Sequence, residues 1–186
     1  MKVLAKFIYK KITLFFGKLF FDKRYLTSTY FNQRTLGLKW IWKCILWQKV
    51  GGSNKHIPWP VSHYNTIIGS ANNICFDPEN IDNFQGKGLY IQCERAKVVI
   101  GTGCMIANNV GLITANHDPS NLFDHLDGKD IYLGNNCWLG LNVVVLPGVT
   151  LGENTIVGAN AVVTKSFPQG HCVIAGNPAR IIKELV

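Results

Sequence analysis

Five histidines and six cysteines give this chain its widest choice of chemistry. His117 stands out by its setting, in the run Asn116-His117-Asp118-Pro119. An imidazole changes charge near pH 6.5, so it is the usual side chain for taking a proton from a hydroxyl or amine near neutrality. Asp118 follows directly and is a candidate either to orient the ring or to hold a turn. Asp124 and His125 lie a few residues on, where they would touch a substrate or simply face water. The cysteines, at 44, 75, 93, 104, 137 and 172, form no C-x-x-C pair. With no secretory signature, they read as reduced, mostly buried thiols of a cytosolic protein. His117, His125 and His171 lack a zinc-ligand spacing, and no metal is expected.

What must position His117 is a repeat. Written in rows of six, residues 133–180 open with Leu133, Leu139, Val145, Leu151, Val157, Val163, Gln169 and Ala175. Seven of these eight openers are apolar, and six of the eight second positions are glycine. Both rows without that glycine, at Leu146 and Thr164, are third rows, so the true period is eighteen. Upstream, Ile100, Ile106 and Leu112 open three more rows. The fifth position of each row is usually small or β-branched, with Phe167 the exception. Opener and fifth residue are expected to point inward, and the glycines to allow tight turns at positive φ. Three rows make one triangular coil, and stacked coils bury a continuous core that no coil has alone. The register is read as unbroken over all eight rows. Between 61 and 99 the rows are ragged, with Pro78 to Gly88 breaking the period, which predicts an imperfect first coil. The coil begun at Ile100 ends at His117 and the repeat resumes at Leu133. The intervening residues 118–132 must leave the prism as a protruding loop, and such loops often carry function.

The repeat resembles the hexapeptide pattern of left-handed β-helix acyltransferases. IGTGCMIANNVGLITANHDP and the run ending AGNPARIIKEL resemble the maltose and galactoside acetyltransferase branch, over about residues 64 to 186. The resemblance implies an all-β left-handed parallel β-helix over 61–178, with an α-helical segment over 1–60 and a short C-terminal helix in a tail at 179–186. It implies an acetyl-coenzyme A-dependent O-acetyltransferase acting by direct attack on the thioester, with His117 as general base. Trp138, Gly140 and Ala159 match positions along the pantetheine path; Thr164, Lys165 and Arg180 match the nucleotide and phosphate end. Asp118, Asn108 and His125 are the acceptor-binding candidates. The family implies a homotrimer with active sites between subunits. One departure stands out: the acceptor-binding asparagine of sugar acetyltransferases falls near Gly88 or Leu89, where this chain has none, so simple galactosides and maltose are not the expected acceptors.

The N-terminal sixty residues lie outside that resemblance. Leu4, Ile8, Ile12, Phe15, Phe16, Leu19 and Phe20 share one helical face, with Lys2, Lys6, Lys10, Thr13 and Gly17 opposite. A basic, aromatic-rich amphipathic helix reads as an interfacial anchor. Leu36 to Trp47, with three tryptophans, would suit a headgroup region. The alternative is that these faces pack on each other or on the trimer. No run of 18 uncharged apolar residues exists, and lysines break up any signal-peptide core, so neither a spanning helix nor a leader is expected. The net charge of +8 is concentrated at this end, which fits an anionic membrane surface better than nucleic acid, and no nucleic-acid motif is present. The charged fraction of 16%, against roughly 25% in average proteins, points to a large packed or oligomeric surface. Together these features predict a cytoplasmic enzyme, peripheral at the membrane through residues 1–47, that acetylates a sugar of capsule or lipopolysaccharide. The competing readings are a serine O-acetyltransferase, a γ-type carbonic anhydrase on the same prism, and a non-catalytic membrane-associated scaffold.

Overall fold

The computed structural model describes residues 2–185, with side chains from Val3 onward, so the predicted placing of Lys2 on the polar helix face lies outside the described side chains. Residues from Ile67 onward wind into stacked triangular coils. The first coil has β1 (Ile67–Ile68) and β2 (Ile74–Phe76), with a 3₁₀ segment, Pro78–Gln85, replacing its third side. The second has β3 (Tyr90–Gln92), β4 (Val98–Ile100) and β5 (Met105–Ile106). The third has β6 (Gly111–Ile113), an excursion containing β7 (His117–Asp118) and β8 (Asn121–His125), then β9 (Ile131–Leu133) and β10 (Trp138–Leu139). The fourth has β11 (Val144–Val145), β12 (Thr150–Leu151) and β13 (Ile156–Val157). The last has β14 (Val162–Val163), a single bridge from Leu151 to Phe167, and β15 (Cys172–Gly176), followed by β16 (Ala179–Glu184).

Equivalent strands stack in parallel into three sheets, β1-β3-β6-β11-β14, β2-β4-β9-β12 and β5-β10-β13-β15. Val144 pairs with Val162 and Trp138 with Ile156, each eighteen residues apart as the period requires. Across the excursion Trp138 pairs with Met105, fifteen residues more. The openers Leu139, Val145, Leu151, Val157 and Val163 are buried, as are the fifth residues Cys137, Val143, Val149, Thr155 and Ala161.

The row glycines have a different reason from the one expected. Gly134, Gly140, Gly152 and Gly158 do not adopt positive φ. A Cβ on Gly134 would lie 2.6 Å from the Glu153 amide nitrogen, and one on Gly140 2.8 Å from that of Ala159. These glycines let one coil settle onto the backbone of the next. Left-handed turn residues instead stand fourth in their rows and are mostly asparagines: Asn109, Asn136, Asn142, Asn154 and Asn160 have φ between 56° and 60°, with Gly103 and Gly148 in the same place in two other rows. Asparagine tolerates that region better than other side chains with a Cβ. The amides also stack, Asn109 to Asn142 at 3.1 Å and Asn142 to Asn160 at 2.9 Å.

Two further expectations fail at the C-terminal end. The register slips by one in the last coil: Ile174, not Ala175, stacks on Val157, and Cys172 and Ile174 turn inward. Bulky Phe167 is buried at its row's fifth position, and the chain then turns through Gly170 and His171, both at positive φ. In place of a C-terminal helix, β16 folds back antiparallel on β15 through a turn at Gly176, φ 98°. The β-branched pair Ile181-Ile182 favours extended backbone, the ladder supplies partners for its amides, and so short a terminal helix would be marginal.

At the other end, helices cover the first coil. Helix α1 (Lys2–Phe20) leads through a 3₁₀ turn, Lys23–Leu26, to α2 (Thr29–Asn32) and α3 (Leu36–Cys44), which continues as a π turn, Ile45–Val50. Buried Gln48 organises the linker that follows: its amide donates to the carbonyls of Asn54, Ile57 and Trp59, and its oxygen accepts from the Val61 amide. Trp59 and Tyr25 then pack on Phe76 and Phe84 of the first coil, with ring centroids 5.0–5.2 Å apart. α1 buries Thr13 and Gly17 and leaves Leu4, Ile8, Ile12, Phe15 and Leu19 facing outward.

Candidate active site

The excursion is a β-hairpin standing on the edge between the first and second sheets. Ile131 and Tyr132 already belong to β9, with Ile131 wholly buried, so the protruding part ends at Asp130 rather than at 132. Asp130 closes it by accepting from the Lys97 amide at 2.8 Å and the Tyr132 hydroxyl at 2.9 Å; these bonds hold its carboxyl below the usual range. β7 and β8 pair antiparallel, setting His117 opposite His125 with ring centroids 4.2 Å apart.

His117 is exposed and held by one bond, Nδ1 to the Leu122 carbonyl at 2.7 Å. A carbonyl only accepts, so Nδ1 carries a proton, and in the neutral ring Nε2 keeps the lone pair. Among the described residues Nε2 makes no hydrogen bond. This is the tautomer a general base requires, fixed by the other ring nitrogen's partner. Asp118 does not orient the ring. Its Oδ1 accepts from the Ser120 hydroxyl at 2.6 Å and the Ser120 amide at 2.8 Å, which hold its carboxyl below the usual range and make it the hairpin's turn cap. The Leu122 carbonyl had no signal in the sequence, because its role depends on hairpin register.

The other predicted residues fall into two groups. Thr164 stacks over Leu146 on the same edge as the hairpin, two coils beyond His117, or roughly 10 Å at the usual strand spacing. It shares a cleft with Asn116, Leu126, Asp127 and Lys129. Lys165 follows on that edge, its ammonium 5.6 Å from the Phe167 ring centroid. Trp138, half exposed, lies on the third sheet beside a cleft lined by Asp82, Asn83, Met105 and Ala107. Neither Asp82 nor Asn83 was expected at a site. Gly140 and Ala159 sit at the corner after that sheet. Ladder register aligns Ala107, Gly140, Gly158 and Ala175 in a column with no side chain larger than methyl. Arg180, on β16, pairs with Ala175 at the top of the same sheet and donates to the Ala179 carbonyl.

Asn108 belongs with this second group, not with His117. Its Oδ1 accepts from the Lys87 amide at 2.8 Å, which ties one coil to the next. Gly88, at φ 68°, is a corner residue and Leu89 is buried, so neither offers a polar side chain to an acceptor. His171 reaches Glu153, 3.1 Å away. Of the cysteines only Cys75 is exposed, and burial pushes the Cys44 thiol up to about 12.

Residues 130–165 match the family model described as bacterial transferase hexapeptide (six repeats). The chain is 45% identical over 103 residues to the polysialic acid O-acetyltransferase of Neisseria meningitidis, covering 53% of this chain and 48% of that one. It is 40% identical over 105 residues to the polysialic acid O-acetyltransferase of Escherichia coli O1:K1 / APEC, covering 53% and 33%. The chain spans about half the length of the first curated relatives it matches. Among solved structures, an N-acyltransferase variant from Bacillus cereus, in complex with dTDP-4-amino-4,6-dideoxyglucose and coenzyme A, superposes with a TM-score of 0.50 at 19% identity, covering 54% of this chain and 59% of that one. The likeness is one of fold: the coils form a hexapeptide-repeat left-handed β-helix.

Proposed function

We propose that this chain, which belongs to the hexapeptide-repeat acyltransferase family, transfers acetyl from acetyl-coenzyme A to a hydroxyl of a surface-polysaccharide sugar. The observation that carries the reading is the single bond from His117 Nδ1 to the Leu122 carbonyl, which in the neutral ring leaves the lone pair on Nε2, at the base of the hairpin. Acetyl-coenzyme A, when bound, supplies the activated acyl group as a thioester. Nε2 removes the proton of the acceptor hydroxyl as the oxygen attacks the carbonyl carbon, and the resulting imidazolium returns it to the departing thiolate. No side chain needs to form a covalent intermediate, in keeping with the burial of five of the six thiols.

The division of the site supports a trimer with composite active sites. Within one chain, the hairpin, Thr164 and Lys165 occupy one edge while Trp138, Gly140, Ala159 and Arg180 lie on another side. A cleft that uses both sets brings the edge of one subunit against the third sheet of its neighbour. Phe123, within β8 of the hairpin, is 94% exposed in the single chain and is suited to cover by that neighbour. Lys165 and Arg180 supply cations for the cofactor's phosphates. The acceptor is argued from the two polysialic acid O-acetyltransferases among the relatives, and from the lack of a polar side chain at Gly88 and Leu89.

The test is thiol release from acetyl-coenzyme A over a panel of oligosaccharides, nucleotide sugars and serine. With the responsive acceptor, His117→Ala is expected to lower kcat by about 10²–10⁴-fold, the usual worth of general-base help. Release that the substitution leaves unchanged removes His117 as the base. Release with serine alone moves the chain to the serine O-acetyltransferases.

A further inference from the structure

Helix α1 is mounted on the molecule by its small and polar face. Thr13 is buried and accepts from the Trp42 indole at 2.9 Å, and Gly17 lies against Ile41 and Leu26. Leu4, Ile8, Ile12, Phe15 and Leu19 therefore point away from everything else in the chain, each between 47% and 63% exposed. The apolar surface does not stop at the helix. Phe15 meets Phe16 and Phe16 meets Trp42 of α3, with ring centroids 5.8 and 5.5 Å apart, and Leu46 and Trp47 extend the exposed surface onto the π turn. So broad an exposed apolar band on a folded chain marks an interaction surface.

Charge identifies what covers it. Residues 1–50 hold eleven of the chain's nineteen Lys and Arg but one of its eleven acidic residues, Asp22. This segment is thus +10 and the remaining 136 residues are −2. On α1, exposed Lys11 and Lys18 border the apolar stripe by helical spacing, with the Lys11 ammonium 4.6 Å from the Phe7 ring centroid. A second copy of the chain would bring another +10 segment against this one. An anionic surface with an apolar interior complements both features at once. No helix among the described residues is long and apolar enough to cross a membrane, which leaves α1 to lie in the plane of the surface.

We propose that α1, with the exposed side of α3 and its π turn, docks onto an anionic phospholipid bilayer. Phe15, Leu19 and Trp47 enter the acyl boundary and the flanking lysines meet the phosphates. The docking is independent of the acetyl-transfer reading, since it requires neither acetyl-coenzyme A nor an acceptor.

The experiment is co-sedimentation of the full chain with vesicles of phosphatidylcholine alone and of phosphatidylcholine with phosphatidylglycerol, at low and high salt. The chain is expected to sediment with the anionic vesicles and to be released by salt as screening shortens the reach of the lysines. Phe15→Glu with Leu19→Glu should reduce partitioning by more than about tenfold, since both substitutions place charge where the acyl boundary would be. Both positions are exposed, so unchanged circular dichroism and thermal unfolding should accompany the loss. Lys11→Gln with Lys18→Gln should weaken binding and flatten its salt dependence. Equal binding to both vesicle types, or binding indifferent to the Phe15 and Leu19 substitutions, overturns the proposal. So does absence of vesicle binding with a self-association, seen by sedimentation velocity, that the same substitutions abolish; that result assigns the face to a second copy.

Discussion

In the prism, the apolar residue that opens a row is enclosed: Leu139 and Val145 have no exposure, and their backbones pair with coils on both sides. In α1 the assignment is reversed. Most of its large apolar side chains face outward, and its buried positions are a threonine and a glycine. Both regions are rich in aliphatic and aromatic residues, so composition does not separate them. The prism buries its apolar residues within one chain because stacking supplies a partner for every row. α1 has neighbours on one side alone, α3 and the 3₁₀ turn Lys23–Leu26, and only one face of it is covered. Hydrophobicity in the first region builds stability, and in the second it is held in reserve for a surface outside the chain.

That contrast can be broken by substitution. Leu139→Ala should cost the most, about 2–5 kcal/mol by chemical denaturation, because adjoining coils cannot close the gap without losing their ladder. A smaller loss would mean that the coils slide independently. Next comes a pair of glycines that both allow close approach. Gly140→Ala sets its methyl against the backbone of the next coil, and a loss of about 1–3 kcal/mol is expected. At Gly17 the nearest atom is the Ile41 Cδ1 at 2.9 Å, the mobile end of a side chain. Gly17→Ala should therefore change stability little, since a helix gains about 1 kcal/mol from that exchange. Equal costs at the two sites would show that α1 is seated as rigidly as a coil. The smallest effect belongs to Leu19→Gln, which should shift unfolding by no more than about 0.5 kcal/mol in a residue pair of similar helix propensity. A larger loss would place Leu19 in a packed contact of the folded chain.

Much of the prism could be read from the sequence because its period is a physical constraint: a row out of step turns every inward residue outward. The eighteen-residue spacing and the excursion's length survive in the ladder register. The purpose of the glycines did not, because sequence alone does not separate a glycine that permits positive φ from one that admits a neighbouring backbone. The asparagines at Asn136 and Asn142 took the first role and left Gly134 and Gly140 the second. The slip at Ile174 and the hairpin after Gly176 arise where the stack ends and the constraint lapses. At the candidate site, the position of His117 was legible from register and interruption. The Leu122 carbonyl that sets its tautomer depends on how the hairpin pairs with itself, and the split of the remaining residues between two sides emerges only in three dimensions.

The antiparallel return of β16 has a consequence beyond closing the third sheet. A pile of parallel coils is open-ended by construction, and its last coil is a template on which another molecule could continue the pile into a fibre. At this end the outermost strand of the third sheet runs the wrong way for such continuation, and it carries Arg180, Lys183 and Glu184 along its exposed length. At the opposite end the aromatic plug of Tyr25 and Trp59 covers the first coil. A molecule whose architecture invites endless growth thus has its third sheet closed by a reversed strand at one end and its first coil covered by aromatic side chains at the other.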